Sequence, residues 1–254
     1  MKISVSDLLF PGFQKYPLRN LDPRYGVEFF YEFGKDYYWN EEIPAWGPRQ
    51  LSMHGPCVAV NLANPGERRF LQIFLKAFTY ARKVQADFVV LHTNEDCGPV
   101  TEELKDMIRT RLHQLATMAE CYDVRVAIEN VGLRTKNNLI FTQPEFIELI
   151  GEFPNACALL DTGHAHVNGW NPAELVRLLG SRLAACHVHD NDGSGDSHLP
   201  VGSGTINWDE YFAAVKEYAP HAVQVLEYSR GFADVQSLQQ HIDELSAAYK
   251  FSID

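Results

Sequence analysis

Nine acidic and imidazole side chains stand where short apolar runs of this sequence end. The runs LSMHGP, FVVLHTN, VRVAIENV, ACALLDTGH, LAACHVHDNDGSGDSH and AVQVLEYS carry His54, His92, Glu129, Asp161, His164, His187, Asp196, His198 and Glu227. Imidazole nitrogen and carboxylate oxygen are the donors that zinc, manganese and iron-type divalent ions take. A strand buried on both faces reads as a continuous apolar run, so six such endings in succession predict a metal site at one end of a parallel sheet. Glu129, Asp161, His187 and Glu227 come one from each of four successive predicted strands and form the core of that site. His54 and His92 suit a second ion, with Glu129 as a bridge. His164, Asp196 and His198 suit a third. The expected cofactor is a divalent ion, zinc or manganese, at one to three per chain. The competing reading is a set of hydrogen-bonded polar residues filling the sheet end. Nothing basic stands at matching positions to neutralise the acids, and unpaired buried acids are costly.

The elements that must position these residues alternate. ERRFLQIFLKAFTYARKVQA (67–86) has apolar residues at three- and four-residue steps, as a helix with one buried stripe does. The strand FVVLHTN follows. The segment 101–123 opens with Thr101 and an acidic first turn and reads as a long amphipathic helix. VRVAIEN is the next strand, and Thr142 and Pro144 then suit a helix start. The alternation repeats to the end, giving six strand–helix units from LSMHGP onward. KISVS (2–6) and GVEFFYEF (26–33) supply two more strands. Eight units imply a closed (β/α)8 barrel, which carries its chemistry at the C-terminal ends of its strands. The aromatic and proline-rich segment from Gly34 to Gln50 reads as a wall over the barrel mouth and not as a regular helix.

The bulk properties agree. The chain of 254 residues, 46% apolar, suits one barrel domain over 1–254, with no Pro/Gly/Ser-rich linker. No apolar stretch approaches the roughly 20 residues of a membrane span, and MKISVSDLLF lacks the layout of a signal peptide. Five widely spaced cysteines without a C-x-x-C pair suit reduced thiols and a cytoplasmic protein. A net charge of −11, from 22 Lys and Arg against 33 Asp and Glu, disfavours a phosphate backbone as partner. The number of copies in solution stays open, a homo-oligomer included.

Other residues near the proposed site carry two readings each. Cys57 and Cys97, close to His54 and His92, are soft ligands or packed thiols. His166 and His189 read as hydrogen-bonding neighbours of the ligands; His189, two residues past His187 on one strand, is the stronger candidate for contact with substrate. Glu28 reads as a surface carboxylate or as a group facing the mouth. Trp39, Trp46 and Trp170 suit stacking on a sugar face. Arg134 and Lys136, in the loop after Glu129, suit an anionic group. His113, His221 and His241 read as solvated or satisfied side chains.

AIEN around Glu129, LLDTGH around Asp161 and His164, HVHDNDG…DSHLPVGSGTINW, and the final LE of Glu227 together resemble the xylose isomerase-like TIM barrels, which include sugar isomerases, sugar epimerases and endonuclease IV. The resemblance covers nearly the whole chain. Its epimerase branch implies one ion, often manganese, at Glu129, Asp161, His187 and Glu227. The two glutamates then move a proton on an open-chain sugar through an enediolate, and His164 touches a substrate oxygen. Its endonuclease IV branch implies three zinc ions at all nine positions and phosphodiester hydrolysis. Two departures stand out. The arginine that epimerases carry six residues after their ligand histidine is Gly193 here. The long groove-inserting loops of the nuclease are missing. The expected activity is therefore metal-dependent isomerisation or epimerisation of a small sugar-like substrate, with a multinuclear zinc phosphodiesterase as the alternative. A related lyase or a ligand-binding barrel forms a third class.

Overall fold

A computed structural model of the chain describes residues 1–10 and 16–251. Eight strands, β1 (Ile3–Ser6), β2 (Gly26–Phe30), β3 (Leu51–His54), β4 (Val89–Leu91), β5 (Val126–Glu129), β6 (Cys157–Asp161), β7 (Leu183–Val188) and β8 (Val223–Leu226), close in chain order into a barrel. Every pairing is parallel, and β1 seals the barrel against β8 through Ile3, Ser4 and Val5 opposite Gln224, Val225 and Leu226. Helices α1 (Asp36–Ala45), α2 (Phe70–Val84), α3 (Glu102–Cys121), α4 (Gln143–Glu152), α5 (Thr162–Val167), α6 (Pro172–Leu179), α7 (Trp208–Tyr218) and α8 (Val235–Tyr249) lie between and after the strands. Two short 3-10 turns, Asp7–Leu9 and Tyr16–Asn20, occupy the first connection.

Side chains alternate between the two faces of a strand, and the apolar residues divide accordingly. Val5, Val27, Phe29, Met53, Val89, Ile128, Leu160, Val188 and Leu226 join the helices in one large core. Phe88, Val90, Ala127, Leu159, Ala185, Val223 and Val225 form a second, smaller cluster inside the barrel. Two residues further along the same inward faces come His92, Glu129, Asp161, His187 and Glu227. The barrel interior is apolar below and turns polar at the C-terminal ends of the strands.

The segment 34–50 departs from the sequence reading. Much of it is the helix α1, and Trp39 and Trp46 are buried at 4% and 2% exposure. Trp39 packs on Phe29 at 5.0 Å between ring centroids and on Trp46 at 5.9 Å. It therefore belongs to the core outside the barrel and does not serve as a substrate platform. The spacing explains why: Trp39, Glu42, Ile43 and Trp46 stand at i, i+3, i+4 and i+7, one face of a helix. Pro44 masks the pattern, but it falls in the last turn. Buried Glu42 takes a bidentate pair from Arg19, at 2.5 and 3.1 Å.

Candidate metal centre

Glu129 is the hub of the mouth. It is 1% exposed at the end of β5. Its Oε2 lies 2.9 Å from His92 Nε2, 3.6 Å from His187 Nδ1 and 3.9 Å from His54 Nε2, and its Oε1 lies 3.4 Å from His164 Nδ1. Asp161, fully buried at the end of β6, has Oδ2 3.0 Å from His189 Nε2, while its Oδ1 accepts the backbone N–H of His164 at 2.6 Å. That bond caps α5 and sets His164 over the mouth. Asn130 locks the neighbouring strand ends by accepting the N–H of Asp161 at 2.7 Å and donating to its carbonyl at 3.1 Å.

His187 shows most directly what the arrangement can hold. Its Nε2 donates to Glu28 Oε1 at 2.7 Å, and Glu28 Oε2 accepts from Ser52 at 2.8 Å. The other ring nitrogen, Nδ1, is buried and has no hydrogen-bond partner. It faces Glu227, Glu129 and Asp161 at 3.5, 3.6 and 3.9 Å. Donors bonded to one divalent ion at about 2.1 Å stand roughly 3 to 3.5 Å apart, close to these separations. His164 Nδ1, His189 Nδ1 and Asp196 Oδ1 are also buried without hydrogen-bond partners. Buried polar atoms are nearly always paired. Four orphans gathered in one mouth, in a donor set of imidazoles and carboxylates, fit divalent cations.

Glu28 is thus not a surface group. It is fully buried and orients the imidazole that faces the three acids, as carboxylates behind metal-binding histidines do. Its signal in the sequence is a charge inside the apolar run VEFF of a strand buried on both faces. Asp190, also fully buried, is a second residue the sequence reading missed. Its carboxylate accepts from the backbone of Gly202, Gly204 and Ile206 and from Trp208 Nε1. These bonds shape the loop that carries Asp196 and His198. Gly204 has no Cβ for a reason: one there would run into Asp190 and the Asn191 carbonyl.

Further donors lie together on the flanks of the mouth. His198 Nε2 lies 3.1 Å from Asp196 Oδ2, which is 3.3 Å from His164 Nε2. His189 joins them, its ring stacked 4.0 Å from that of His198. A Cβ at position 163 would strike the His189 ring, so Gly163 makes room for it. On the other side, His92 Nδ1 pairs with Glu95 at 2.6 Å. Arg134 does not line the mouth: its Nε donates to the Val167 carbonyl at 2.9 Å, whereas Lys136 does line it. His166 bonds Thr205 at 2.8 Å, and Trp170 packs against the core. The mouth is an open cleft with a cavity volume of about 220 Å³.

The charges in the cleft are strongly coupled. Burial pushes the Glu129 carboxyl up, but His92 and His187 outweigh it and hold it well below the usual range. Burial wins at Glu227, which is raised in spite of His187 and His198. His92 is lowered by burial, yet Glu129 and Glu95 carry it up to about 10. His54 moves the other way, to about 4, through burial and the neighbouring His92.

Known proteins place this architecture. Inosose isomerase of Bacillus subtilis is 27% identical over 146 residues, 55% of this chain and 48% of that protein, so the chain spans about half of that relative. A D-tagatose 3-epimerase-like protein superimposes with a TM-score of 0.79 at 24% identity, covering 98% of this chain and 99% of the other. The IOLI protein with a binding zinc atom does so with a TM-score of 0.76 at 18% identity, covering 99% of each chain. At these identities the structural likeness shows the fold alone. The profile of the xylose isomerase-like TIM barrel matches residues 47–247. With the closed eight-stranded barrel, that match makes the chain a member of the xylose isomerase-like TIM barrel family.

Proposed function

We propose that this protein is a divalent-metal-dependent isomerase or epimerase of a small sugar or sugar-like substrate. The observation that carries the reading is the orphaned Nδ1 of His187 facing Glu129, Asp161 and Glu227, with Glu28 holding the opposite ring nitrogen. Glu129, Asp161, His187 and Glu227 would hold the ion. When bound, a divalent ion supplies Lewis-acid polarisation of substrate oxygens. Glu129 and Glu227 both line the cleft and suit the two proton tasks. One removes a proton from the carbon beside a carbonyl, and the other returns it to the enediolate. His164 and Lys136 line the cleft where substrate oxygens would lie. The sequence relative inosose isomerase supports this substrate class.

The test is incubation of the metal-loaded protein with ketohexoses and inososes in deuterated water. Deuterium should enter at the carbon that inverts or isomerises. Glu129→Gln and Glu227→Gln should each lower kcat by about 10²- to 10⁴-fold, the range for a positioned acid or base, with the fold intact by circular dichroism.

One observation favours a second reading, a multinuclear zinc phosphodiesterase. His54, Cys57 and His92 on one flank, and His189, Asp196 and His198 on the other, form donor groups separate from the central acids. Three zinc ions per chain with cleavage of abasic-site DNA would establish that reading. One ion per chain and no cleavage would exclude it. His198→Ala should remove a three-ion hydrolase activity entirely and only weaken a one-ion isomerase.

A further inference from the structure

Cys57 stands beside His54 and His92, two donors that the proposed reaction leaves unused. It lies in the loop after β3 and is 7% exposed. The loop is held rigidly: the Glu32 carboxylate accepts the backbone N–H groups of Cys57 at 2.6 Å, Val58 at 2.9 Å and Ala59 at 3.1 Å. Three successive amides on one carboxylate fix the backbone and aim the thiol. Its sulfur and one ring nitrogen each of His54 and His92 lie within 4.8 Å of one another. His54 is 2% exposed, and its Nδ1 donates to the Gly55 carbonyl at 3.0 Å. That tautomer leaves the lone pair on Nε2, which stands 3.9 Å from Glu129 Oε2 and makes no hydrogen bond among the described residues.

We propose that Cys57 is a thiolate ligand that joins His54 and His92 at a second ion position beside Glu129. The inference rests on the metal reading of the mouth and goes beyond it. Sulfur, two imidazoles and a carboxylate oxygen make a soft set that selects zinc or another thiophilic ion over manganese. Four protein donors close a tetrahedral ion to substrate. The Cys57 position is therefore structural and charge-balancing, and open coordination stays with the central acids. Binding there releases the thiol proton to solvent.

Cobalt(II), added to chelator-treated full-length protein, reads the two claims separately. Visible d–d bands report cobalt at the mouth, whereas a thiolate-to-cobalt charge-transfer band in the near ultraviolet reports sulfur in its coordination shell. The charge-transfer band should appear, vanish in Cys57→Ser and in Cys57→Ala, and persist in Cys97→Ser. Zinc affinity at one site should fall at least about tenfold in both Cys57 variants, with manganese affinity unchanged. Visible bands without the near-ultraviolet band, or a near-ultraviolet band that survives both Cys57 substitutions, would overturn the thiolate assignment and leave the metal centre standing. Absence of both bands would overturn the metal centre and the assignment together.

Discussion

A buried imidazole is oriented by what its ring nitrogens bond, and at His187 that task falls to Glu28, 159 positions away in the chain. The pair is buried on both sides, so the imidazole cannot turn to water for a partner. Glu28→Gln keeps the shape and an acceptor but removes the charge that raises ligand basicity. Zinc affinity should fall about 10- to 100-fold, read by competition with a chromophoric chelator. An unchanged affinity would mean that His187 does not bind through Nδ1. Residues such as Gly163 and Gly204 contribute by what they lack, since each leaves room for a group that shapes the site. His189, Asp196 and His198 depend on those two absences as much as on their own chemistry.

At the scale of elements, the helices hold the strand ends in place from outside. Helix α4 starts with a capping box in which the Thr142 N–H donates to Glu145 at 2.8 Å. The other Glu145 oxygen accepts from Lys105 of α3 at 2.6 Å, so one carboxylate caps one helix and ties it to its neighbour. Lys105, then burial acting the opposite way, then Thr142 bring its acidity to about 2 from an ordinary 4.5. A folded-state value below the unfolded one contributes stability that is present above pH 4.5 and is lost as the pH falls toward 2. Glu145→Gln should therefore destabilise the protein by about 1 kcal/mol at pH 7, a typical cap and ion-pair contribution. The variant and the parent should converge near pH 2 in urea titrations. A difference that does not change with pH would contradict this account. The same logic of a central acceptor organises the β7–α7 loop around Asp190. That loop has little regular structure, yet it places two candidate ligands.

At the scale of the whole molecule, five carboxylates converge inside one barrel end: Glu28, Glu129, Asp161, Asp196 and Glu227. Either imidazolium groups or metal ions must balance them. His92 is carried to about 10 and His198 to about 9, in each case by carboxylates that overcome burial. Raised values of this kind stabilise the fold below the unfolded value of 6.5 and lose that contribution as the pH rises through 9 to 10. Chelator-treated protein should therefore lose Tm steeply between pH 7 and 10. Zinc should raise Tm by mass action and flatten this dependence, since the ion then carries the positive charge. Calorimetry at several pH values reads both effects, and parallel slopes with and without zinc would count against metal at the mouth. Among the described residues, no helix is long and apolar enough to cross a membrane.

Eight strands, most of the helices and the central quartet were legible in the amino-acid order. Parallel strands buried on both faces must be apolar throughout, so a carboxylate or imidazole at the end of such a run is conspicuous. The period of two then puts Glu129, Asp161, His187 and Glu227 on inward faces without any knowledge of their neighbours. Glu28, the capped helix α5, the reach of Asp190 and the removal of Trp39 from the mouth were not legible. Each depends on which strand lies beside which around a closed ring, and at what stagger. A buried acid and a surface acid share one letter, and a tryptophan stacks equally well on a sugar or on Phe29. Ring closure sets those neighbours through contacts between residues far apart in the chain, which local pattern does not encode.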